Sequence, residues 1–482
     1  MKKYFLLIIS LGLIVIFLYL NGGIPAISQK LPHPQREIQA QKIQFLYLLL
    51  VVPAILCLSS VLSQLRPLAR GLGYSGHWLF TLDRRYFMVL VFFIGFASSA
   101  LIQYFYLHKL PTIIDSHNNY FQAKIFAQGR IWAPSYPDTE KFFDFVAIMN
   151  KDGKRYGSVF AGHPMVLCLG EILGVAWLVN PIQGGLIVIF IYLLGAVFFT
   201  DTVGRFAAIL SLSSPFKIFQ CAIFMVHPTV TLWILIFLWI LFRYFEKPLL
   251  QRAIWLGLSA GFLYLVRPQS AFPILVPFAL YYCVYLLRRQ IPVIHTFITV
   301  FLIIFSINGS FLYNKRLTGE YLVTPRDIVA PSLTLGFGDK VGKPMGEGRF
   351  SGHTWANGCR HTAENCKLLS RESLCWGGFT FLFLLPAFWS QRKSVIPFLM
   401  LLSGLLLMTL FFAYPINSPL FGPRYYFELL PFYLLLIAQG MVFTRTWIKE
   451  HTETWWGKGL DESTIPAIVI PLFILFAFIF IV

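Results

Sequence analysis

Apolar runs of membrane-crossing length recur along almost the whole chain. They lie near residues 4–20, 43–62, 86–107, 158–178, 181–200, 206–226, 229–244, 253–268, 271–287, 293–313, 376–390, 394–414, 424–443 and 465–482. A helix needs roughly 20 predominantly apolar residues to cross the hydrocarbon core. Backbone polar groups in lipid must be satisfied within the segment, so such runs predict helices. The expected fold is an all-α polytopic membrane protein. The start, MKKYFLLIISLGLIVIFLYLNGG, has a long apolar part and no clear small-x-small cleavage site, which predicts an uncleaved first span.

Basic residues in the short loops set the expected orientation, because Lys and Arg concentrate on the cytoplasmic side. Arg66, Arg70, Arg84 and Arg85 place the 63–85 loop inside, so the loop after the 86–107 run faces outside. If 158–178 also crossed, Lys247, Arg252, Arg288, Arg289, Arg392, Lys393, Arg445, Lys449 and Lys458 would all fall outside. That segment, SVFAGHPMVLCLGEILGVAWLV, also carries His163, Pro164, Glu171 and several glycines. It is therefore expected to be an external helix lying on the membrane or dipping into it. About thirteen transmembrane helices result, with the N-terminus inside and the C-terminus outside. Two long external loops, 108–180 and 314–375, contain interfacial helices. The expected organisation is a two-span extension with a basic loop (1–85), a transmembrane core (86–440), and a C-terminal cytoplasmic loop with a last span (441–482).

Composition sharpens this reading. At 57% hydrophobic and 12% charged, the chain has more apolar surface than one soluble core can hide. The excess of 39 Lys and Arg over 21 Asp and Glu sits in loops between apolar runs, which reports topology and argues against a nucleic-acid partner. No internal repeat and no matched pair of Gly/Pro-interrupted spans is visible, which weighs against an inverted-repeat transporter.

Asp115 follows the 86–107 run by about two helical turns, which puts a carboxylate at the membrane surface. Around it, several short sequences occur in a particular order. These are the Tyr120 to Gly129 run ending in GRIWAP, then YGSVFAGHP, LSLSSPF with FMVHP, LVRP, LGFG followed by GHT, and FGPRYYFELLP. In order and topology they resemble the GT-C glycosyltransferases, and among these the protein O-mannosyltransferases and bacterial aminoarabinose transferases. The resemblance covers roughly residues 86–440. It implies a cytoplasmic (inner) membrane enzyme, of inverting type, that moves a sugar from a polyprenyl-phosphate donor to a lipid, glycan or protein acceptor on the external, periplasmic face. It also implies that Asp115 is the catalytic base. Two features depart from the family pattern. Ser116 stands where a second adjacent acid is common, and His227 precedes Pro228 where another acid is common. The resemblance therefore assigns no certain cofactor and leaves a divalent metal open.

The chemistry agrees with one carboxylate. An acceptor hydroxyl must lose a proton while phosphate leaves, and phosphate needs cations or dipoles more than a proton. Glycoside hydrolysis needs two carboxylates. Arg424, in GPRYY at a predicted helix start, and Arg267, in LVRPQ at a span end, are the candidate phosphate ligands. His163, His227, His353 and Tyr425 are further candidate substrate contacts. The bland alternatives are a helix cap for Asp115 and snorkelling for the arginines. Lys217, expected within a span, is a charge that needs a cavity or a partner.

The HTWANGCRHTAENC stretch, with His353, Cys359, His361 and Cys366, lacks the spacing of a recognised zinc site. It reads instead as an amphipathic helix, with Cys359 and Cys366 about 10 Å apart and too distant to bridge. A transporter or flippase for a lipid-linked glycan, and a glycan ligase or polymerase, are the alternative functions.

Overall fold

The computed structural model describes residues 79–135, 147–342, 344–346, 349–374, 381–417, 419 and 421–455. Residues 84–374 and 378–444 form one compact unit. Outside that unit, residues 79–83 and 445–455 are described. The predicted spans at 4–20, 43–62 and 465–482 lie outside the described residues.

The first unit opens with α1 (Arg84–Phe105) and α2 (Ile114–Ala127). A small antiparallel sheet follows, in the order β1 (Ala133–Pro134), β3 (Lys154–Gly157), β2 (Ile148–Lys151). Next come α3 (Gly162–Ile172), α4 (Val179–Phe198), α5 (Asp201–Leu212), α6 (Pro215–Ala222), α7 (His227–Glu246) and α8 (Leu250–Val266). After these are α9 (Pro268–Leu287), α10 (Val293–Thr318), the short α11 (Pro325–Val329), and the two-stranded β4 (Pro344–Gly346) and β5 (Arg349–Phe350). The chain continues through α12 (Trp355–Glu372), α13 (Leu384–Ser390) and α14 (Ile396–Phe412) to α15 (Leu430–Trp455), which a 3₁₀ turn over Arg424–Leu429 introduces.

Among the described residues, six helical segments are long and apolar enough to cross a membrane: Arg84–Phe105, Ala176–Phe198, His227–Glu246, Pro268–Leu287, Val293–Thr318 and Arg424–Trp447. Leu250–Val266 and Ile396–Phe412 are shorter apolar helices. The protein is a helical, polytopic membrane protein. The 158–178 segment contains a non-helical stretch after β3, the 11-residue α3 and a 3₁₀ turn rather than one long helix.

Two expected runs differ, and of 376–390 the described residues 381–390 hold only the seven-residue α13. The 206–226 run is not a single span, because it breaks at Ser213–Ser214 into α5 and α6. Pro215 cannot donate to the preceding turn, and the Ser214 hydroxyl accepts from the Lys217 N–H to start a new helix. Lys217 thus sits in the first turn of α6, fully buried, with its ammonium 3.4 Å from the Gly95 carbonyl.

Small residues bring the helices together. On α1 the buried positions Phe87, Val91, Gly95, Ser99 and Gln103 recur every four residues and so form one face. That face meets α4 where a Cβ on Gly95 would lie 3.3 Å from the Gly185 Cα, and a Cβ on Gly185 would lie 2.7 Å from the Phe92 carbonyl oxygen. Such close approach is the usual basis of helix packing in lipid, where apolar burial alone gives no driving force.

Alternation of the helices gathers their ends into two sets. At one end Arg84 lies over Tyr192, Phe198 packs on Phe242, Phe242 on Tyr281, and Tyr244 bonds His295. Asp115, the start of α7, the α8–α9 junction and the turn before α15 gather at the other.

Candidate active site

Asp115 lies in the first turn of α2. The N-cap is Ile113, which makes no side-chain cap, so Asp115 does not serve as the helix cap. The buried polar face of α2 is held by the segment around β3. Asn118 donates to the Ser158 hydroxyl at 3.0 Å, and Gln122 accepts from the Gly157 N–H at 2.9 Å. A Cβ on Gly157 would come within 2.5 Å of the Asn118 side chain, so glycine is needed for this approach. These contacts fix the helix while the Asp115 side chain stays half exposed, at 51%.

Opposite stands Arg424, whose Nη1 donates to Asp115 Oδ2 at 3.0 Å while the arginine side chain is only 8% exposed. Its position comes from the FGPR turn. Phe421 and Gly422 both take positive φ, at 52° and 97°. For a bulky residue such as Phe421 this costs on the order of 1–3 kcal/mol and must be held by its surroundings. Gln220 donates to the Phe421 carbonyl at 3.1 Å, and the Phe421 ring stacks on Phe219. A Cβ on Gly422 would meet the Phe216 ring at 2.4 Å, which excludes larger residues. The broken helix α6 is therefore what buttresses the arginine turn.

The turn corrects one expectation. The backbone after Pro423 is 3₁₀, and the N–H groups of Arg424 and Tyr426 are already bonded to Gly422 and Pro423 carbonyls. The positive charge at this turn is that of the guanidinium, and these two N–H groups are already taken.

Behind Arg424 lies a second layer. The Tyr425 ring has Arg424 at 5.1 Å on one approach and Arg267 at 5.5 Å on another, and it stacks on Phe411. Arg267 Nη1 is 3.1 Å from His227 Nε2, and His227 Nδ1 is 2.9 Å from Glu428 Oε1. A carboxylate can only accept, so Nδ1 carries the proton and Nε2 accepts from Arg267. The chain Glu428–His227–Arg267 is thus a carboxylate, a neutral imidazole and a guanidinium in series. Glu428 is 1% exposed and His227 fully buried, so each charge depends on the others for its stability. Arg326 completes the cluster by donating to the Tyr414 hydroxyl, whose ring packs edge-on against Tyr425.

Three guanidiniums face two carboxylates here, which leaves one positive charge in excess. The buried Nε atoms of Arg424 and Arg267 have no hydrogen-bond partner among the described residues. Among the described residues, no group of three or more His, Cys, Asp or Glu side chains is arranged to hold a metal ion. Asp115 meets an arginine rather than a second carboxylate, so the donor set does not fit a divalent cation.

Of the residues expected from sequence, Asp115, Arg424, Tyr425, Arg267 and His227 come together. His163 and His353 do not join the pair. His163 is fully buried, with Nδ1 2.8 Å from the Thr229 hydroxyl, which donates in turn to Gln183. Burial holds its imidazole down to about 3, and the ring links α3 to α7. His353, 1% exposed, bonds the Phe412 carbonyl through Nε2 and stacks on Phe337. His227 is likewise enclosed, so its place is behind Arg267 and not at the open surface. Glu428, Arg326 and Tyr414 were not among the expected residues. The signal for Glu428 was available, since an acid inside an apolar run is expensive and almost always paired.

No protein-family model matches the sequence, and no curated protein does. The fold is similar to that of ArnT from Cupriavidus metallidurans. The apo ArnT structure aligns with a TM-score of 0.48 at 16% identity, over 74% of this chain and 60% of ArnT. ArnT bound to undecaprenyl phosphate aligns at 0.49 and 14% identity, over 80% of this chain and 69% of ArnT. The archaeal oligosaccharyltransferase AglB from Archaeoglobus fulgidus, in complex with an inhibitory peptide and a dolichol-phosphate, aligns at 0.45 and 11% identity, over 83% of this chain and 56% of AglB. The chain thus spans about 60% of the length of the apo ArnT chain and somewhat over half that of AglB.

Proposed function

We propose that the protein is a membrane glycosyltransferase that moves a sugar from a polyprenyl-phosphate donor to an acceptor hydroxyl. The observation that carries this reading is the Asp115–Arg424 pair, backed by Arg267 across the Tyr425 ring. A half-exposed carboxylate beside a buried guanidinium sets a base and an anion ligand side by side. Transfer of a sugar from phosphate needs that pairing, because the attacking hydroxyl and the leaving phosphate flank one anomeric carbon.

In this reading Asp115 Oδ1, the oxygen other than the one that accepts from Arg424, takes the acceptor proton as the hydroxyl oxygen bonds the anomeric carbon. The bond from that carbon to the phosphate oxygen breaks, and the electron pair leaves on the phosphate. Arg424 and Arg267 receive that charge. The single excess positive charge of the cluster matches a phosphodiester donor. Attack from the face opposite the phosphate gives inversion. Glu428 and His227 orient Arg267 and lower the penalty of keeping it buried.

The basic residues at the opposite end, Arg84, Arg85, Lys247, Arg252, Arg288 and Arg289, support a cytoplasmic location for that end. Asp115 then faces outside the cytoplasmic membrane. The acceptor is a lipid, glycan or protein hydroxyl. Mixing the purified protein with a radiolabelled polyprenyl-phosphate sugar and acceptor extracts tests the reading directly. It expects release of polyprenyl phosphate with label passing to the acceptor, and no release by an Asp115→Asn variant would leave the wild-type signal attributable to this site. Equal release by both proteins would refute it.

A further inference from the structure

Away from the Asp115 site, an open groove of about 530 Å³ lies between the C-terminal part of α2, Met165 of α3 and the last turns of α10. Its walls include Phe126, Leu312 and Tyr313, and Arg130 and Arg316 stand on its lining. The groove continues a stripe on α10, where Phe297, Phe301, Phe305 and Leu312 are all exposed and apolar. Such a stripe on a membrane-crossing helix faces lipid. Gly309 interrupts it. A Cβ at this position would meet nothing within 4 Å, so bare backbone opens the space between Phe305 and Leu312.

The two arginines make the groove amphipathic. Both are exposed, and among the described residues neither guanidinium has a hydrogen bond or ion pair with the protein. A third cation is close, since Lys154 Nζ donates to the Arg316 carbonyl at 2.9 Å. Apolar walls that run into unpaired cations at the end of a span fit one kind of molecule, an acyl chain with an anionic head.

We infer that this groove holds an anionic phospholipid of the surrounding bilayer, with its phosphate at Arg130 and Arg316 and one acyl chain over Gly309. Its head-group end is separate from the donor phosphate proposed at Arg424, since about eleven residues of α2, roughly 16 Å of helix, separate Phe126 from Asp115. It also has a consequence for the helix it touches. A lipid seated there packs on the far end of α2, the helix that carries Asp115, and steadies it against α10.

The test uses the full chain in phosphatidylcholine nanodiscs containing phosphatidylglycerol with a photoactivatable acyl chain, followed by peptide mapping. Labelling is expected on the α10 residues around Gly309 and on the end of α2, and a phosphatidylcholine analogue should label the Phe297–Phe301 region equally but the groove far less. At roughly five-fold per cation, the Arg130→Ala/Arg316→Ala double variant should weaken groove labelling about 30-fold while the Phe297–Phe301 label stays constant. Gly309→Phe places a ring over the floor from a Cβ that meets nothing within 4 Å, and should block the label without lowering expression. Equal groove labelling by the two lipids, or full labelling of the double variant, overturns the proposal. So does loss of the label to unlabelled polyprenyl phosphate but not to unlabelled phosphatidylglycerol, which would give the groove to the donor's carrier.

Discussion

Replacing Arg424 by lysine keeps the charge and discards the planar fork. The wild-type guanidinium has Nη1 3.0 Å from Asp115, Nη2 3.4 Å from the Tyr425 hydroxyl, and a buried Nε with no hydrogen-bond partner among the described residues. A lysine ammonium can replace one of these donors at a time, because it is a point charge on a flexible stem. Losing one hydrogen bond to a charged group is worth about 1.5–3 kcal/mol, which corresponds to roughly 10-fold to 100-fold in kcat/KM. Alanine removes the charge as well and should reduce kcat/KM further. The assay is turnover of a polyprenyl-phosphate sugar with donor Kd measured separately, and thermal unfolding in detergent shows that each variant is folded. If the arginine only reaches toward lipid headgroups, lysine does so equally well. A fully active Arg424→Lys protein would therefore refute the phosphate role and shift it to Arg267.

Other outcomes follow from the same contacts. Glu428→Gln removes the carboxylate that compensates Arg267 inside the bundle, and breaking such a pair should destabilise the fold by about 3–5 kcal/mol; an unchanged unfolding temperature would show that Arg267 is balanced elsewhere. His163 is buried and held down to about 3, well below its ordinary value near 6.5, so its contribution to stability is present above about 6.5 and is lost as pH falls toward 3. The stability difference between wild type and His163→Gln should therefore shrink through that window, and a constant difference would contradict the assignment. With the native cysteines replaced, a cysteine at exposed Thr202 should react with an impermeant maleimide only from the cytoplasmic side and one at exposed Lys109 only from outside; labelling of both from one side would refute the orientation.

Hydropathy marked the long helices well, because a run of apolar residues with no internal break has one outcome in lipid. It failed at 206–226, where Ser213–Ser214–Pro215 interrupts a run whose average hydropathy still looks continuous. The break matters, since Phe216, Phe219 and Gln220 on α6 support the turn that carries Arg424. The sequence pattern also singled out Asp115, Arg267, His227 and Arg424, each placed at a predicted helix end on the same side of the bundle. It could not tell which of these face open space. His227 and His163 looked alike, each before a proline, yet one lies behind Arg267 and the other ties α3 to α7 through Thr229. That distinction depends on tertiary neighbours. Glu428 was overlooked because the FGPRYYFELLP stretch draws attention to its arginine, although an acid within an apolar run carried the stronger physical signal.

Asp115→Asn separates basicity from shape more cleanly than any other change, because the amide keeps the volume and an oxygen for Arg424 while losing the ability to take a proton. It also removes a negative charge beside the phosphate ligand. Donor binding should therefore be kept or tightened, while turnover falls about 100-fold or more, the usual contribution of a positioned base. A variant that retains more than about a tenth of wild-type turnover would contradict the central claim that Asp115 accepts the acceptor's proton.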